Sequence, residues 1–247
     1  MRSPEAPWRL VIDGARSPAA NMARDEAILH AAARGGPVTL RFYSWRPWAF
    51  SIGYFQKWAD FAAHAGRGIP VVRRLTGGGA IYHADEITYS LVGPFGRSPF
   101  PRRAADLFEK VHRAIASGLS GLGIAADLSD APAGRWAIVC FERPQKLDVV
   151  VGGRKLLGSA QRRFGGFFLQ HGSLPLSANP YAPGAVSVGE ILVNRPEEGR
   201  IIEALAGAIA GGFGATLAAG PLRGEEEAEA LSLAARKYAQ AVWNARR

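Results

Sequence analysis

The sequence predicts an α+β fold, a mixed β-sheet with helices packed on it. Three observations carry this expectation. Short β-branched and aromatic runs dominate the chain up to Ser173, and helical patterns occupy its last third. Leu107, Val111, Ile115, Leu119 and Leu122 recur at helical spacing, so one amphipathic helix interrupts the strands. Gly152-Gly153 between the apolar runs VVV and KLL signals a tight hairpin. No repeat or low-complexity linker divides the chain. Its 247 residues, 48% of them hydrophobic, fit one domain spanning 1–247.

Residues 8–13 alternate as a strand does. Ser17 is then an N-cap, with Pro18 at the first helical position and Gly35-Gly36 as the stop. Met22, Ile28, Leu29 and Ala32 approximate the apolar face of that helix. Residues 38–45 and 48–54 read as strands paired around the Arg46-Pro47 turn, and 58–65 as a short helix. Residues 71–75 form a strand entering a glycine loop, and 87–92 the strand leaving it. The repeat from Leu107 to Leu122 sets a helix over 103–122. A loop covers 127–134, followed by strands at 136–141, at 146–151 and from 167 onward. Residues 175–196 are irregular, and helices close the chain at 197–211 and 225–244.

No apolar run approaches the ~20 residues that span a bilayer, and the first residues lack the apolar centre of a signal peptide. A cytoplasmic protein with no membrane partner is expected. One cysteine, Cys140, excludes an internal disulfide and a multi-cysteine zinc site. The net charge of +9 rests on 25 arginines against 5 lysines. It fits either a compositional bias or an acidic partner whose encounter the charge steers. Nucleic acid would qualify, but no helix-turn-helix, zinc-finger or aromatic-basic RNA pattern is present, so no nucleic-acid partner is expected. An acidic carrier protein fits better.

Two glycine-punctuated motifs carry the chemistry. VVRRLTGGGAIYH, residues 71–83, sends a strand through Arg73 and Arg74 into Thr76 and the triplet Gly77, Gly78 and Gly79. Glycines without a Cβ let backbone N–H groups approach an anion or a carboxyl derivative closely. GGRKLLGSAQRRFGGFFLQHGS, residues 152–173, places Lys155 after a turn, then a bend at Gly158, Ser159 and Ala160. Lys155 stands out in a chain that prefers arginine, because an amine can lose its proton near neutrality and a guanidinium cannot. Cys140 ends the run AIVC with Arg135, Arg143 and Lys146 nearby. Position alone leaves an inert core thiol and an activated nucleophile level. His83 and His171 close the two motifs without a metal-ligand spacing, which points to hydrogen-bonding or pocket-lining roles and no metal. The aromatics Trp45, Trp48, Phe50, Tyr54 and Phe55 are expected in core and pocket wall.

RRLTGGGAIYH, GRKLLGSAQRR and QHGS resemble the signatures of the biotin/lipoate protein ligase family. NMARDEAIL, LRFYSWRPWAFSIGYFQ, DEITYSLV, VCFERPQKLDVVV and KYAQAVWNARR extend the resemblance over nearly the whole chain, towards the octanoyltransferase branch. The resemblance implies a catalytic fold like that of class II aminoacyl-tRNA synthetases. It implies octanoyl transfer from acyl carrier protein to a lysine of the glycine-cleavage H protein or a lipoyl domain, by a monomer without a cofactor. In that branch a Cys-Phe pair precedes the Gly-Arg-Lys motif, so Cys140-Phe141 takes the nucleophile's place. Lys155 takes that of its proton acceptor or ion partner, with Arg73 and Arg74 crowding it. Backbone N–H groups of residues 77–79 or 158–160 are candidate oxyanion donors. One departure keeps an alternative open. Gly79 stands where the branch often has arginine, and three glycines suit an ATP-dependent lipoate ligase working through lipoyl-AMP. Ligases of that kind commonly add a C-terminal accessory domain, and no room for one is expected after Gly224.

Overall fold

The computed structural model describes residues 6–132 and 144–247. The expected strand at 136–141, with Cys140, Arg135 and Arg143, lies outside the described residues. In chain order the elements are β1 (Trp8–Arg16), α1 (Pro18–Ala33), β2 (Thr39–Trp45), β3 (Ala49–Ile52), α2 (Ala62–Gly66), β4 (Val71–Arg73), β5 (Ile81–His83) and β6 (Glu86–Pro94). Then come α3 (Ala104–Ser120), β7 (Asp127–Leu128), β8 (Val149–Val151), β9 (Arg154–Phe164) and β10 (Phe167–Pro175). The chain ends with α4 (Val188–Ile191), α5 (Glu198–Gly212), β11 (Leu217–Ala219), α6 (Gly224–Leu233), a π-turn at Ala234–Tyr238 and α7 (Ala241–Asn244).

Among the described residues an eight-stranded sheet runs in the order β11-β1-β2-β6-β10-β9-β8-β7. Its β11-β1-β2 edge is parallel and the remaining pairs are antiparallel. The two faces differ in chemistry because strand side chains alternate. Leu40, Phe42, Tyr89, Leu91 and Phe168 face α3 and α5 and join Leu107, Val111, Ile115, Leu205 and Ile209 in the main core. The other face carries Arg41, Tyr43, Ser90 and His171 beneath α1. There Asp25, 1% exposed, accepts from Arg41 (2.8 Å), Tyr43 Oη (2.9 Å), Ser90 Oγ (2.8 Å) and His171 Nδ1 (3.2 Å). Arg41, fully buried, also reaches Asp13 at 2.8 Å and the Asn21 side chain at 2.9 Å.

Helix α1 starts where Ser17 Oγ accepts from Ala20 N at 3.3 Å, with Pro18 inside the first turn. Its burial is not confined to the apolar face read from the sequence. Arg24 and Glu26 are also covered, because α6 and the π-turn lie over the helix and pair with them through Glu227 and Lys237. The segment read as one helix over 225–244 is broken by that π-turn, where Ala239 N donates to Ala234 O.

Two local expectations need correction. Strands β2 and β3 do not pair. Pro47 has no N–H to extend a ladder, and after it the chain enters a separate three-stranded sheet, β4-β3-β5, packed by Phe50, Ile52, Phe61 and Ala80. Residues 158–160 form no bend, because β9 runs unbroken to Phe164 paired with β10. The turn falls instead at Gly165-Gly166, both at positive φ. The Gly152-Gly153 hairpin forms as expected between β8 and β9, and both glycines have positive φ.

Removing one member of a buried ion pair leaves the other charge unsolvated. Arg41→Ala should therefore lower unfolding free energy by about 3–5 kcal/mol in urea denaturation. Val193→Ala, at a fully exposed side chain, should change it by less than about 0.5 kcal/mol.

Candidate active site

A cavity of about 410 Å³ opens between the small sheet, the β6/β10/β9 strands and the start of α1. That volume lies in the roughly 300–1,000 Å³ range of small-molecule sites. Both glycine motifs line it: Arg74, Gly77, Gly78 and His83 from the first, Lys155, Ser159, Ala160 and His171 from the second. Met22, Tyr43, Trp45, Ile81 and Phe108 supply apolar wall.

Lys155 reaches the cavity through a β-bulge. Val149 pairs with Leu157 and Val150 with Lys155, so β9 spends two residues against one on β8 and Leu156 is the extra one. This puts Lys155 on the same side of the sheet as Gly158, Ala160 and Arg162. The lysine is 1% exposed and its Nζ lies 2.8 Å from Asp148 Oδ2. Burial pushes the Asp148 carboxyl up, and the Lys155 charge pulls it back. A Cβ on Gly158 would lie 2.4 Å from Lys155 Cε and 2.5 Å from Nζ. Gly158 thus makes room for the lysine to fold over the strand.

Arg74 organises the glycine loop. Its guanidinium donates to the carbonyls of Ser51 (3.0 Å), Gly77 (2.7 Å) and Gly79 (2.8 Å) and to Thr76 Oγ1 (3.0 Å). Because peptides are planar and trans, turning the Gly77 carbonyl towards Arg74 directs the N–H of Gly78 the opposite way. Thr76 Oγ1 contacts His171 Nε2 at 2.7 Å, and His171 Nδ1 faces Asp25. A carboxylate only accepts, so Nδ1 carries the proton and Thr76 donates to Nε2. Burial pushes the His171 pKa down, and Asp25 partly offsets it.

Further along the cavity His83 contacts Glu86 Oε1 at 2.6 Å and Ser51 Oγ at 2.7 Å, and stacks on Trp45 with centroids 3.8 Å apart. Glu86 also accepts from Thr88 and Ser173.

Behind Ser159 runs a chain of hydrogen bonds with one direction. His112 Nδ1 donates to the Leu147 carbonyl at 2.6 Å, so its Nε2 accepts from Ser159 Oγ, also at 2.6 Å. Ser159 accepts in turn from Tyr89 (2.7 Å), Tyr89 from Gln170 (2.9 Å) and Gln170 from Gln161 (2.7 Å). With its proton committed to His112, Ser159 can offer a ligand only a lone pair.

Of the residues singled out from sequence, Thr76 and Gly158 act from behind the cavity wall. Gly79 contributes the carbonyl held by Arg74. Arg73 points elsewhere. Its guanidinium donates to the carbonyls of Gly53, Tyr54, Gln56 and Asn244 and does not line the cavity. Cys140 lies outside the described residues. Trp48 and Phe55, expected in core or pocket wall, are 54% and 65% exposed. Sequence reasoning missed Asp148, Asp25 and His112. The signal for His112 was present, since it sits beside Val111 inside the buried stripe of α3. Asp148 and Asp25 offered none, because their partners are distant in sequence or placed by the bulge. No group of His, Cys, Asp or Glu suited to a metal occurs among the described residues.

A profile of the lipoyl protein ligase A/B catalytic domain matches residues 17–198, the span that builds this cavity. The chain belongs to that family. Among its relatives, octanoyltransferase LipM of Moorella thermoacetica is 36% identical over 276 aligned residues, covering 99% of this chain and 100% of the relative. Octanoyltransferase LipM of Kyrpidia tusciae is 37% identical, covering 97% and 99%. In three dimensions the chain is similar to the putative lipoate protein ligase Ta0514 from T. acidophilum, with TM-score 0.85, 22% identity and coverage of 98% and 100%. It is also similar to a lipoate-protein ligase A bound with ATP, with TM-score 0.82, 23% identity and coverage of 97% and 99%. These likenesses establish the lipoyl ligase fold for the chain. No helix among the described residues is long and apolar enough to cross a membrane.

Two predictions follow from this geometry. Gly158→Ala should displace Lys155 and reduce acyl transfer at least about a hundredfold, since catalytic groups misplaced by ~1 Å lose that much. Unchanged circular dichroism would show the fold intact. The second concerns acid. Burial pushes His112 down to about 3, whereas an unfolded histidine titrates near 6.5. Between those values only the unfolded chain binds the proton, so stability is complete above about pH 6.5 and falls as pH drops towards about 3. His171 is shifted in the same direction. Urea midpoints measured from pH 7 to 4 should fall, and His112→Gln should flatten that slope. An unaltered slope in the variant would contradict the buried neutral assignment.

Proposed function

We propose that the protein is an octanoyltransferase of protein lipoylation, taking the acyl group from acyl carrier protein through a thioester on Cys140. The acceptor is a lysine of the glycine-cleavage H protein or a lipoyl domain. The observation that carries this reading is the buried Lys155–Asp148 pair in the wall of a cavity that both glycine motifs line. The end-to-end similarity to octanoyltransferases supports it. A solved T. acidophilum lipoate protein ligase is described together with its E2 lipoyl domain, which supports a lipoyl-type acceptor.

In the first step the Cys140 thiolate attacks the thioester carbonyl, the new C–S bond forms, and the prosthetic-arm thiolate leaves and takes a proton. In the second, the neutral acceptor amine attacks the acyl-cysteine, a C–N bond forms and the C–S bond breaks. The cysteine leaves as the thiolate that began the cycle, and the nitrogen gives up one proton to solvent, which balances the proton taken by the prosthetic-arm thiolate. Thioester exchange is nearly isoenergetic and amide formation runs downhill, so the cycle proceeds without ATP. The role assigned to Lys155 is to take the thiol proton or to stabilise the thiolate as an ammonium, and Asp148 fixes where that ammonium sits. The Gly78 N–H, turned away from Arg74, is a candidate oxyanion donor, a role worth about 3–4 kcal/mol. The walls formed by Met22, Tyr43, Trp45, Ile81 and Phe108 suit an acyl tail. At ~0.8 kcal/mol per methylene its burial contributes about 5 kcal/mol.

Gly79 in the first loop favours a second reading, an ATP-dependent ligase acting through lipoyl-AMP. Intact-mass measurement separates the two. After exposure to octanoyl-carrier protein the chain should gain one octanoyl group on Cys140, and Cys140→Ala should gain none and transfer nothing. Octanoyl-AMP formed from octanoate, ATP and Mg²⁺, with Cys140→Ala still active, would overturn the transferase reading.

A further inference from the structure

Beside the glycine loop the surface carries an arginine-aromatic cluster that the acyl chemistry does not use. The Arg246 guanidinium carbon lies 3.9 Å from the centroid of Tyr54 and 4.3 Å from that of Trp243. Arg162 stands 5.2 Å from the same Tyr54 ring, and Arg247 5.3 Å from Phe55. Three separate segments, the 54–55 loop, β9 and the end of the chain, thus bring three guanidiniums to two adjacent rings.

Among the described residues no carboxylate forms an ion pair with Arg162, Arg246 or Arg247. The arginines dominate their surroundings electrically. Tyr54, half-buried, is held below the usual phenol range by its hydrogen bond to Arg246 and by the charges of all three. Arg73, lowered chiefly by burial, is lowered further by Arg246 and Arg247. Like charges held together attract an anion from solution.

The cluster also stands at a definite distance from the chemistry. Tyr54 N donates to Thr76 O at 2.8 Å, and Phe55 lies 3.9 Å from the position of a Gly77 Cβ, so the rings abut the loop that lines the cavity. Lys155 Nζ sits over Gly158, 2.5 Å from where its Cβ would be. Arg162 follows Gly158 by four residues on the same face of one strand, which places its Cα roughly 13 Å from that of Gly158 at ~3.3 Å per residue. A phosphopantetheine arm has about 13 bonds between phosphorus and sulfur, roughly 15 Å when extended at ~3.4 Å per three bonds.

We infer that Arg162, Arg246 and Arg247, set on Tyr54 and Phe55, dock the phosphodiester of an acyl carrier and the acidic surface that bears it, with the thioester at Lys155. The inference rests on the transferase reading and names the surface by which that site receives its donor. Guanidiniums suit the role because their planar forks bind phosphate oxygens in pairs while stacked on rings.

The test compares donors. Second-order rates of acyl-enzyme formation are measured with octanoyl-carrier protein, and with octanoyl-pantetheine, which lacks both phosphate and carrier. The double variant Arg162→Ala/Arg246→Ala should slow the carrier reaction about tenfold or more and leave the octanoyl-pantetheine reaction unchanged. Octanoyl-phosphopantetheine should lose an intermediate amount. Arg162→Lys/Arg246→Lys, keeping both charges, should retain more of the carrier rate than the alanine pair. An equal loss for carrier and octanoyl-pantetheine, no loss with carrier, or lysine behaving as alanine would overturn the docking assignment. Absence of acyl-enzyme from either donor in the unaltered protein would instead overturn the transferase reading, and this one with it.

Discussion

Arg74 is the contact on which the arrangement of the site depends. It joins the small sheet to the glycine loop by donating to Ser51, Gly77 and Gly79. Through Thr76 and His171 it connects to Asp25, and through Asp25 to Arg41 and α1. These groups are buried, so an unmet donor or acceptor anywhere along the chain would cost about 1–3 kcal/mol. Such a network has one low-energy arrangement, and the glycine loop inherits it. A loop without side chains would otherwise be the least constrained part of the cavity wall.

Two polar systems therefore meet at one cavity from opposite faces of the large sheet. The charged one, under α1, fixes the glycine loop. The neutral one, running from Gln161 to His112, fixes Ser159 on the side packed by α3. They differ in what they tolerate. The first contains compensated charges, and the second contains an imidazole that burial keeps uncharged. Lys155 and Asp148 enter between them from β9 and the segment before β8.

Much of the fold was legible because its signals were local. Ser17-Pro18, the leucine repeat of α3 and the Gly152-Gly153 turn each act within a few residues. The motifs at 71–83 and 152–173 also identified eight residues that line one cavity. What escaped was non-local. Strands β2 and β3 look like a hairpin because both are apolar and a proline lies between them. Only the second apolar cluster around Phe50 shows that they serve different sheets. Arg73 and Arg74 are adjacent and chemically identical, yet strand alternation sends one into the cavity wall and the other to the chain's last helix. Asp148 acquires its meaning from a bulge that no residue type announces.

That bulge has a consequence for how the chain can vary. Leu156 is a supernumerary residue whose presence inverts the parity of everything before it in β9 relative to everything after. Pairing Leu156 in its turn would straighten β9 and bring Lys155 to the side of Leu157, away from the cavity, whereas loss of Leu156 would leave Lys155 and Gly158 two residues apart and on one side. The hairpin thus tolerates removal of the bulged residue but not its absorption into the ladder, and the odd separation of Lys155 and Gly158 is as much a functional feature as the lysine itself.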